Sequence, residues 1–425
     1  MSKIDRRRFL SGSALALGGA SLGVGAQAAL GAAAAPADDA PAMPAAPPQD
    51  STLRQRVPFD GAHQPGIVEP QANVAIVVAL DAIAPDAIAL ANGLRSLSGR
   101  ARELMAGGEV TALYAESPPS DSGTLGTEIE PDALTVTVAF GSTLFDGRYG
   151  FADKRPARLT TMPSFPNDAL DQALCGGDVL LTIAGGHHDT VSHALRELLR
   201  VTRAELAPIW WTNGFTGAQR GPTPRSAPRN HFGFRDGTGN PDPTDAALMD
   251  RLVWVQPGTP GEPAWTAGGT YQVVRNIRMH VEFWDRVGLR EQESMIGRRR
   301  DNGAPLGGTD EFEDPSYDVD LRGVRIPLDA HIRLANPRKP TTEDKRILRR
   351  GWSYDRGLDS AGQLDMGLLF VAFNQDVERQ FVRIQHRLDA EPMIDYVTPV
   401  GGGYFFVPPG TRGVSDFVGS ALFAA

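Results

Sequence analysis

The stretch Asn73-Val-Ala-Ile-Val-Val-Ala-Leu80, together with the segment from Pro85 to Met105 that follows it, decides the fold. The first is a continuous apolar run rich in β-branched residues, which predicts a buried strand. The second carries apolar side chains at helical spacing, from Ala87 and Leu90 to Leu104, which predicts an amphipathic helix. A strand that leads at once into a helix is the opening of an α+β unit.

The remainder of the first half completes this unit. Apolar patterning predicts, in order, a strand at Leu134 to Ala139, a strand at Asp178 to Ala184, a helix capped by Asp189, and a last strand near Trp210 and Trp211. The order β-α-β-β-α-β is that of a ferredoxin-like domain.

The second half repeats the same order. Its predicted elements are a strand at Thr270 to Trp284, a helix around Gln292, a strand at Gly367 to Phe373 that leads into a helix holding Val377 to Leu388, and a closing strand at Gly403 to Val407. The predicted fold class is therefore α+β, with two duplicated ferredoxin-like modules of the dimeric α+β barrel type. We expect an N-terminal domain at 57–215 and a C-terminal domain at 216–425, joined by a linker near Gly214 to Arg229.

Composition excludes several classes of site. The chain has 425 residues, a formal net charge of −9 and one cysteine, Cys175. One cysteine cannot form an internal disulfide, a thiolate zinc cluster, an iron–sulfur site or a C-x-x-C-H haem attachment. An acidic chain also argues against a dedicated nucleic-acid-binding protein.

The N-terminus resembles a twin-arginine (Tat) export signal. Asp5-Arg6-Arg7-Arg8-Phe9-Leu10 precedes a mild apolar run, and Ala26-Gln27-Ala28 has the small-x-small form of a cleavage site. We therefore expect residues 1–28 to be a signal peptide and the mature protein to be periplasmic. The Ala- and Pro-rich residues 29–56 are expected to form a disordered tether, and the polar stretch from Arg298 to Asp320 a surface loop.

The loop Gly233-Phe-Arg-Asp-Gly-Thr-Gly-Asn-Pro241 is the first candidate site. Its glycines and proline predict a tight turn that lets the backbone approach a bulky ligand closely. Asp236 at its centre is either a turn-forming residue or a catalytic base. A calcium site with Asn240, Asp242 and Asp245 is a third alternative, although the spacing does not fit an EF-hand.

The segment His331-Ile-Arg-Leu-Ala-Asn-Pro-Arg338 is the second candidate. One imidazole with no cysteine nearby suits haem iron better than zinc, which takes three or four protein ligands. Its arginines could pair with haem propionates. Leu348-Arg-Arg-Gly-Trp-Ser-Tyr354 is the third candidate, with a helix end capped by Gly351 as the alternative, and the pair His187-His188 is a weaker metal-binding candidate.

Taken together and in order, these segments resemble the dye-decolourising peroxidase family. Gly233-Phe-Arg-Asp-Gly237 looks like its G-x-x-D-G signature, His331 to Arg338 is similar to its proximal-histidine segment, and Leu348 to Tyr354 is similar to its distal-arginine segment. The likeness extends from Phe59 to Phe406. With the export signal, it indicates the exported, iron-uptake-linked deferrochelatase/peroxidase branch.

This resemblance implies one non-covalent haem b per chain in the C-terminal domain. His331 would be the proximal iron ligand and Asp236 the distal acid–base, while Arg349 would stabilise negative charge as the O–O bond breaks. Asp395 would either accept a hydrogen bond from His331 or be a surface acid. The other expected haem contacts are Gly237, Thr238, Gly239, Asn336, Pro337 and Arg338, with Arg338 or Arg333 near a propionate.

The implied function is a peroxidase that reduces hydrogen peroxide and oxidises organic donors, with release of iron from intact porphyrin as a second activity. The alternative is a passive periplasmic haem carrier, which has no need of Asp236 and Arg349 together. Trp352 and Tyr354 are either electron relays or core aromatics. Expected partners are haem, peroxide, an organic donor, components of a ferrous iron uptake system and further copies of the chain in a homodimer or larger assembly.

Overall fold

The structure is a computed structural model that describes residues 52–111, 115–217, 220 and 226–424. In chain order its elements are β1 Val74–Ala82, α1 Ala87–Ala106, β2 Gly108–Glu109, β3 Glu128–Ile129, β4 Thr135–Gly141, β5 Val179–Gly185, α2 His188–Thr202, β6 Leu206–Phe215, α3 Ala246–Leu252, β7 Thr270–Met279, α4 Val281–Trp284, α5 Leu289–Ile296, α6 His331–Ala335, β8 Leu348–Arg349, β9 Trp352–Leu358, β10 Leu364–Asn374, α7 Arg383–Leu388, β11 Val397–Val407 and α8 Ser420–Ala424. The predicted signal peptide and most of the predicted tether lie outside the described residues.

The first module is an antiparallel sheet in the order β4-β5-β1-β6, which is the ferredoxin-like order. Helix α1 begins after Asp86, whose carboxylate accepts a hydrogen bond from the amide of Ala89 at 2.8 Å. The prediction that Asp189 caps α2 is wrong. The capping residue is His187, whose backbone is extended, and Asp189 already lies in the first helical turn.

The second module has the same order, β9-β10-β7-β11. Its first strand ends at Met279, earlier than predicted, because the amide of Trp284 bonds back to His280 and starts the short helix α4. The segment Leu348 to Tyr354 forms β8 and the start of β9. The alternative of a helix end is therefore wrong, and Gly351 does not adopt the left-handed conformation of a helix cap.

The two modules form one barrel. Strand β11 pairs with β4, β6 pairs with β9, and β7 pairs with both β11 and β10, so the nine-stranded sheet closes on itself. Val77, Leu180, Val274, Val371 and Phe405 belong to the cluster that fills its interior. A second core lies between the barrel and helices α1 and α2. These observations confirm the predicted fold class.

Among the described residues, no helix has the length and apolar character needed to span a bilayer.

Candidate functional site

A cavity of about 280 Å³ lies against the outer face of the second module. Its floor is apolar and consists of Ile277 and Met279 on β7, Leu368 and Phe370 on β10, and Val397 on β11. Successive side chains of a strand point to opposite faces of the sheet. Alternate positions of the same strands therefore build the barrel interior on one side and the cavity floor on the other.

His331 is the first residue of α6 and lines this cavity. Its Nδ1 lies 2.6 Å from Oε2 of Glu391. Burial alone would lower the pKa of His331, but the negative charge and hydrogen bond of Glu391 outweigh burial and raise that pKa above its ordinary value. With Nδ1 directed at a carboxylate, Nε2 is the ring nitrogen that can bind a metal ion.

The prediction that Asp395 accepts this hydrogen bond is wrong. Glu391 precedes a 3₁₀ turn, Pro392–Asp395, and is 6% exposed, whereas Asp395 ends that turn and is exposed. The turn thus separates two acids that lie four residues apart and directs only the first of them toward α6.

Asp236 lies in the tightly turned loop Gly233 to Pro241, which we call the distal loop. The amide of Asp236 donates to the carbonyl of Pro228 at 2.8 Å. The next residue, Gly237, has a φ of +117°, which residues with side chains rarely adopt. Oδ1 of Asp236 lies 2.9 Å from Nη1 of Arg349. The side chain of Asp236 is 24% exposed and that of Arg349 is 30% exposed. The carboxylate therefore faces a guanidinium at the cavity.

Arg349 lies in β8, and the side chain of Asn240 binds its backbone. The side-chain amide of Asn240 donates to the carbonyl of Arg349 at 2.8 Å and accepts from its N–H at 3.2 Å. Asn240 is thus unavailable for the calcium alternative. Asp245 caps α3 and Asp242 accepts hydrogen bonds from Thr244, so these oxygens do not converge on one ion.

Most of the other expected contacts also reach the cavity. The predicted residues among its lining are Gly237, Thr238, Gly239, Asn336 and Arg338. Pro337 is not among the lining residues. Arg333 turns away, since its guanidinium contacts Asp320 and the carbonyl of Ile326. Arg338, which also pairs with Asp314 at 2.9 Å, is thus the arginine of that segment at the cavity.

Sequence reasoning missed several cations and one buried stretch. Arg298, Lys345 and Arg346 line the cavity together with Arg338 and Arg349, and no motif marked them in advance. A group of cationic side chains can form charge-assisted hydrogen bonds with the carboxylates of a bound ligand.

The prediction of a surface loop at 298–320 is wrong for part of the stretch. Arg298, Glu311 and Asp320 are buried there. Arg298 donates to the carbonyls of Gly303 and Glu311 within the stretch, whereas Glu311 and Asp320 accept from the amides of Ala227 and Ile326 outside it.

The weaker candidates lie elsewhere. His187 contacts Asp132 at 2.9 Å and His188 begins α2, so the two imidazoles do not share a site. Trp352 and Tyr354 are 3% and 0% exposed and belong to the barrel interior. They are core aromatics.

The chemistry of the site fits haem. The apolar floor suits a flat tetrapyrrole, the imidazole of His331 suits its iron, and the grouped cations suit its carboxylates. The pair of Asp236 and Arg349 adds an acid–base group and a fixed positive charge at the same cavity. Fold and site together define a haem-binding protein with peroxidase-type chemistry.

Comparison with known proteins gives the family. Residues 64–216 match the model described as Dyp-type peroxidase, N-terminal, and residues 227–412 match Dyp-type peroxidase, C-terminal. The chain is 44% identical over 422 residues to the Deferrochelatase of Yersinia pestis, covering 99% of this chain and 95% of that protein. It is 46% identical over 370 residues to the Deferrochelatase of Escherichia coli, covering 87% of each. The structure of a DyP-type peroxidase from Streptomyces coelicolor matches with a TM-score of 0.79 and 35% identity, covering 89% of this chain and 100% of that one. The chain belongs to the Dyp-type peroxidase family.

Proposed function

We propose that this protein is a peroxidase that binds one non-covalent haem b per chain and uses Asp236, Arg349 and His331 in its reaction. The observation that carries the proposal is the 2.9 Å pair of Asp236 and Arg349 at the cavity that His331 also lines. His331, oriented by Glu391, would hold the iron through Nε2. Arg338 and the neighbouring cations would hold the propionates.

Bound haem supplies the iron centre at which the O–O bond of hydrogen peroxide is cleaved. Asp236 would take the proton from the incoming peroxide and return it to the departing oxygen, a role that contributes on the order of 10²–10⁴ in rate. Arg349 remains a cation throughout and would stabilise the negative charge that develops on that oxygen.

The test is Asp236→Asn. Turnover of peroxide should fall by about 10²-fold or more, since a general acid–base is removed, while the absorption spectrum of the haem-loaded protein remains. Asp318→Asn, which changes an exposed carboxylate of the same module, is the matched control. Unchanged turnover in Asp236→Asn would show that Asp236 is not the acid–base group. It would leave the passive haem carrier as the better description, since a carrier needs no acid–base group.

Release of iron from intact porphyrin is a second proposed activity. It is favoured by the relatives at 44% and 46% identity, which are named Deferrochelatase. Haem added to the protein without oxygen should yield free protoporphyrin, detected by its fluorescence. If haem is recovered unchanged after prolonged incubation with a reductant, this activity is rejected.

We also propose that the chain is exported by the Tat pathway and works in the periplasm, as a homodimer or larger assembly near a ferrous iron uptake system. The support for export is the order of Arg6-Arg7, the apolar run and Ala26-Gln27-Ala28, while the assembly and the uptake system are what the family resemblance implies. Replacement of Arg6 and Arg7 by lysine should retain the protein in the cytoplasm. Periplasmic recovery of that variant would contradict this localisation.

A further inference from the structure

The connection between α5 and α6 places one buried carboxylate directly behind the distal loop. The connection contains several acids, and Glu311 is 5% exposed, whereas its neighbours Asp310 and Glu313 are exposed. A buried charge is costly unless it is paired and hydrogen-bonded. The partners of Glu311 therefore show what this carboxylate holds in place.

Those partners lie on both sides of Asp236. Oε1 of Glu311 accepts hydrogen bonds from the hydroxyl of Thr238 at 2.9 Å and from the amide of Ala227 at 2.8 Å. Its Oε2 lies 3.2 Å from Nε of Arg235, and both side chains are nearly inaccessible to solvent. Arg235 precedes Asp236 directly and Thr238 follows it by two residues, so one carboxylate fixes the loop before and after Asp236.

The backbone at this point needs such an anchor. Gly237 lies between Asp236 and Thr238, and a glycine has more conformational freedom than any other residue. The amide of Asp236 bonds to Pro228, whose neighbour Ala227 is also held by Glu311. Both arms of the turn that presents Asp236 are thereby attached to the same side chain.

Resting on the proposed role of Asp236, we propose that Glu311 is a positioning residue that sets the distance and orientation of the Asp236 carboxylate at the cavity. The side chain of Glu311 reaches Asp236 only indirectly, through Arg235 and Thr238 in the distal loop and through Ala227 beside Pro228. A misplacement of about 1 Å can cost on the order of 10²-fold in rate when a reacting group must be aligned.

The variants are Glu311→Ala, which removes the carboxylate contacts but keeps the backbone carbonyl that accepts from Arg298, and Glu311→Gln, which retains an acceptor for Thr238 and Ala227 but not the charge opposite Arg235. Glu313→Gln is the matched control, because Glu313 lies on the same connection and its carboxylate accepts hydrogen bonds from the amides of Thr309 and Asp310 there. We expect kcat/KM for peroxide to fall by about 10- to 100-fold in Glu311→Ala and by less in Glu311→Gln. The same constant for the organic donor should stay within about threefold, since the substitution leaves His331 and its contact with Glu391 unchanged.

Hydrogen–deuterium exchange of the haem-free chain gives a readout that does not depend on activity. The peptide that contains Asp236 should exchange faster in Glu311→Ala than in the parent chain or in Glu313→Gln, because the amide of Asp236 loses the support of its bond to Pro228. Equal exchange in all three proteins would overturn the inference.

A double variant separates this inference from the proposed function. If Glu311 acts through Asp236, adding Glu311→Ala to Asp236→Asn should cause almost no further loss of turnover. Losses that multiply would overturn the positioning role while leaving Asp236 as the acid–base. If Asp236→Asn alone has no effect, the proposed function itself has failed.

Discussion

The contact between His331 and Glu391 gives the sharpest prediction about how this chain would hold haem. Replacement of Glu391 by glutamine keeps the shape and an acceptor for Nδ1, but it removes the negative charge. Replacement by alanine removes both. In each variant the imidazole becomes a weaker electron donor, because the carboxylate no longer polarises its N–H.

The structure sets the size of the effect. The contact is 2.6 Å long and the Glu391 side chain is 7% exposed, so it is a short, charge-assisted hydrogen bond with little competition from water. Such bonds contribute about 1.5–3 kcal/mol, and about 1.4 kcal/mol corresponds to a tenfold change in affinity. We therefore expect the haem dissociation constant to rise by about tenfold in Glu391→Gln and by up to about 100-fold in Glu391→Ala.

The assay is titration of the haem-free protein with haem, followed by absorbance, with the ferric/ferrous midpoint potential measured on the loaded protein. The potential should rise in both variants, because loss of a nearby negative charge destabilises the ferric form more than the ferrous form. Asp395→Asn is the matched control, since Asp395 is an exposed acid four residues away. If Glu391→Ala binds haem as tightly as the parent chain, or if Asp395→Asn weakens binding equally, the reasoning from this contact is refuted.

Two further predictions concern stability. Gly402 on β11 has a φ of +124°, and a Cβ there would collide with the carbonyl oxygen of Val274. Gly402→Ala should therefore lower the free energy of unfolding by about 1–3 kcal/mol. Gly99→Ala, in open space on α1, should instead raise it by about 0.5–1 kcal/mol. Thermal unfolding that ranks the two variants the other way would contradict this. The hydrogen bonds from Arg102 hold the pKa of Asp60 below its ordinary value, so the stability from this pair is present above the ordinary aspartate pKa and is lost as the pH falls through the lower, folded-state pKa. Asp60→Asn should therefore flatten the acid limb of the stability–pH curve, and an unchanged acid limb would show that the pair contributes nothing.

The sequence predicted elements whose signal is local. Strand β5 was expected at Asp178 to Ala184 and is observed at Val179–Gly185. The prediction succeeded because a short, continuous apolar run between turn residues is typical of a buried strand. Closure of the barrel has no comparable signal in the apolar pattern. The two modules are connected by one pair of residues between β6 and β9 and by two pairs between β11 and β4. Such short pairings between strands far apart in the chain produce no periodic pattern in the sequence.

The site was predictable in part. Asp236, His331 and Arg349 were assigned through the family resemblance, and their residue types alone left a turn, a calcium site and a helix end open. Glu391 and Glu311 could not be singled out. Each belongs to a group of nearby acids, and only the fold decides which member is buried against His331 or against the distal loop.

The position of the cavity follows from the way the two modules differ. A ferredoxin-like module covers one face of its sheet with the two helices that connect its strands. In the first module these are α1 with 20 residues and α2 with 15, and they seal that face. In the second module the corresponding first connection runs from β7 to β9. Its α-helices are the short α4, α5 and α6, with 4, 8 and 5 residues, and a 3₁₀ helix, Pro340–Lys345, precedes β8.

Short helices cannot seal the face that a long one covers, so the apolar side chains of β7, β10 and β11 remain as the floor of a cavity. The same connection then supplies His331 on α6, Glu311 behind the distal loop and Arg349 just before β9. Within the described part of the chain, the first module reaches the cavity only through Asn167, and the adjacent Asp168 pairs with Arg275 of β7 beneath it. Its main contribution is closure of the barrel, which fixes the strands that carry the floor. The duplicated fold thus provides a rigid support. The connection that departs most from the duplication supplies His331 and Arg349, while their partners Asp236 and Glu391 come from the distal loop and from the connection between β10 and β11.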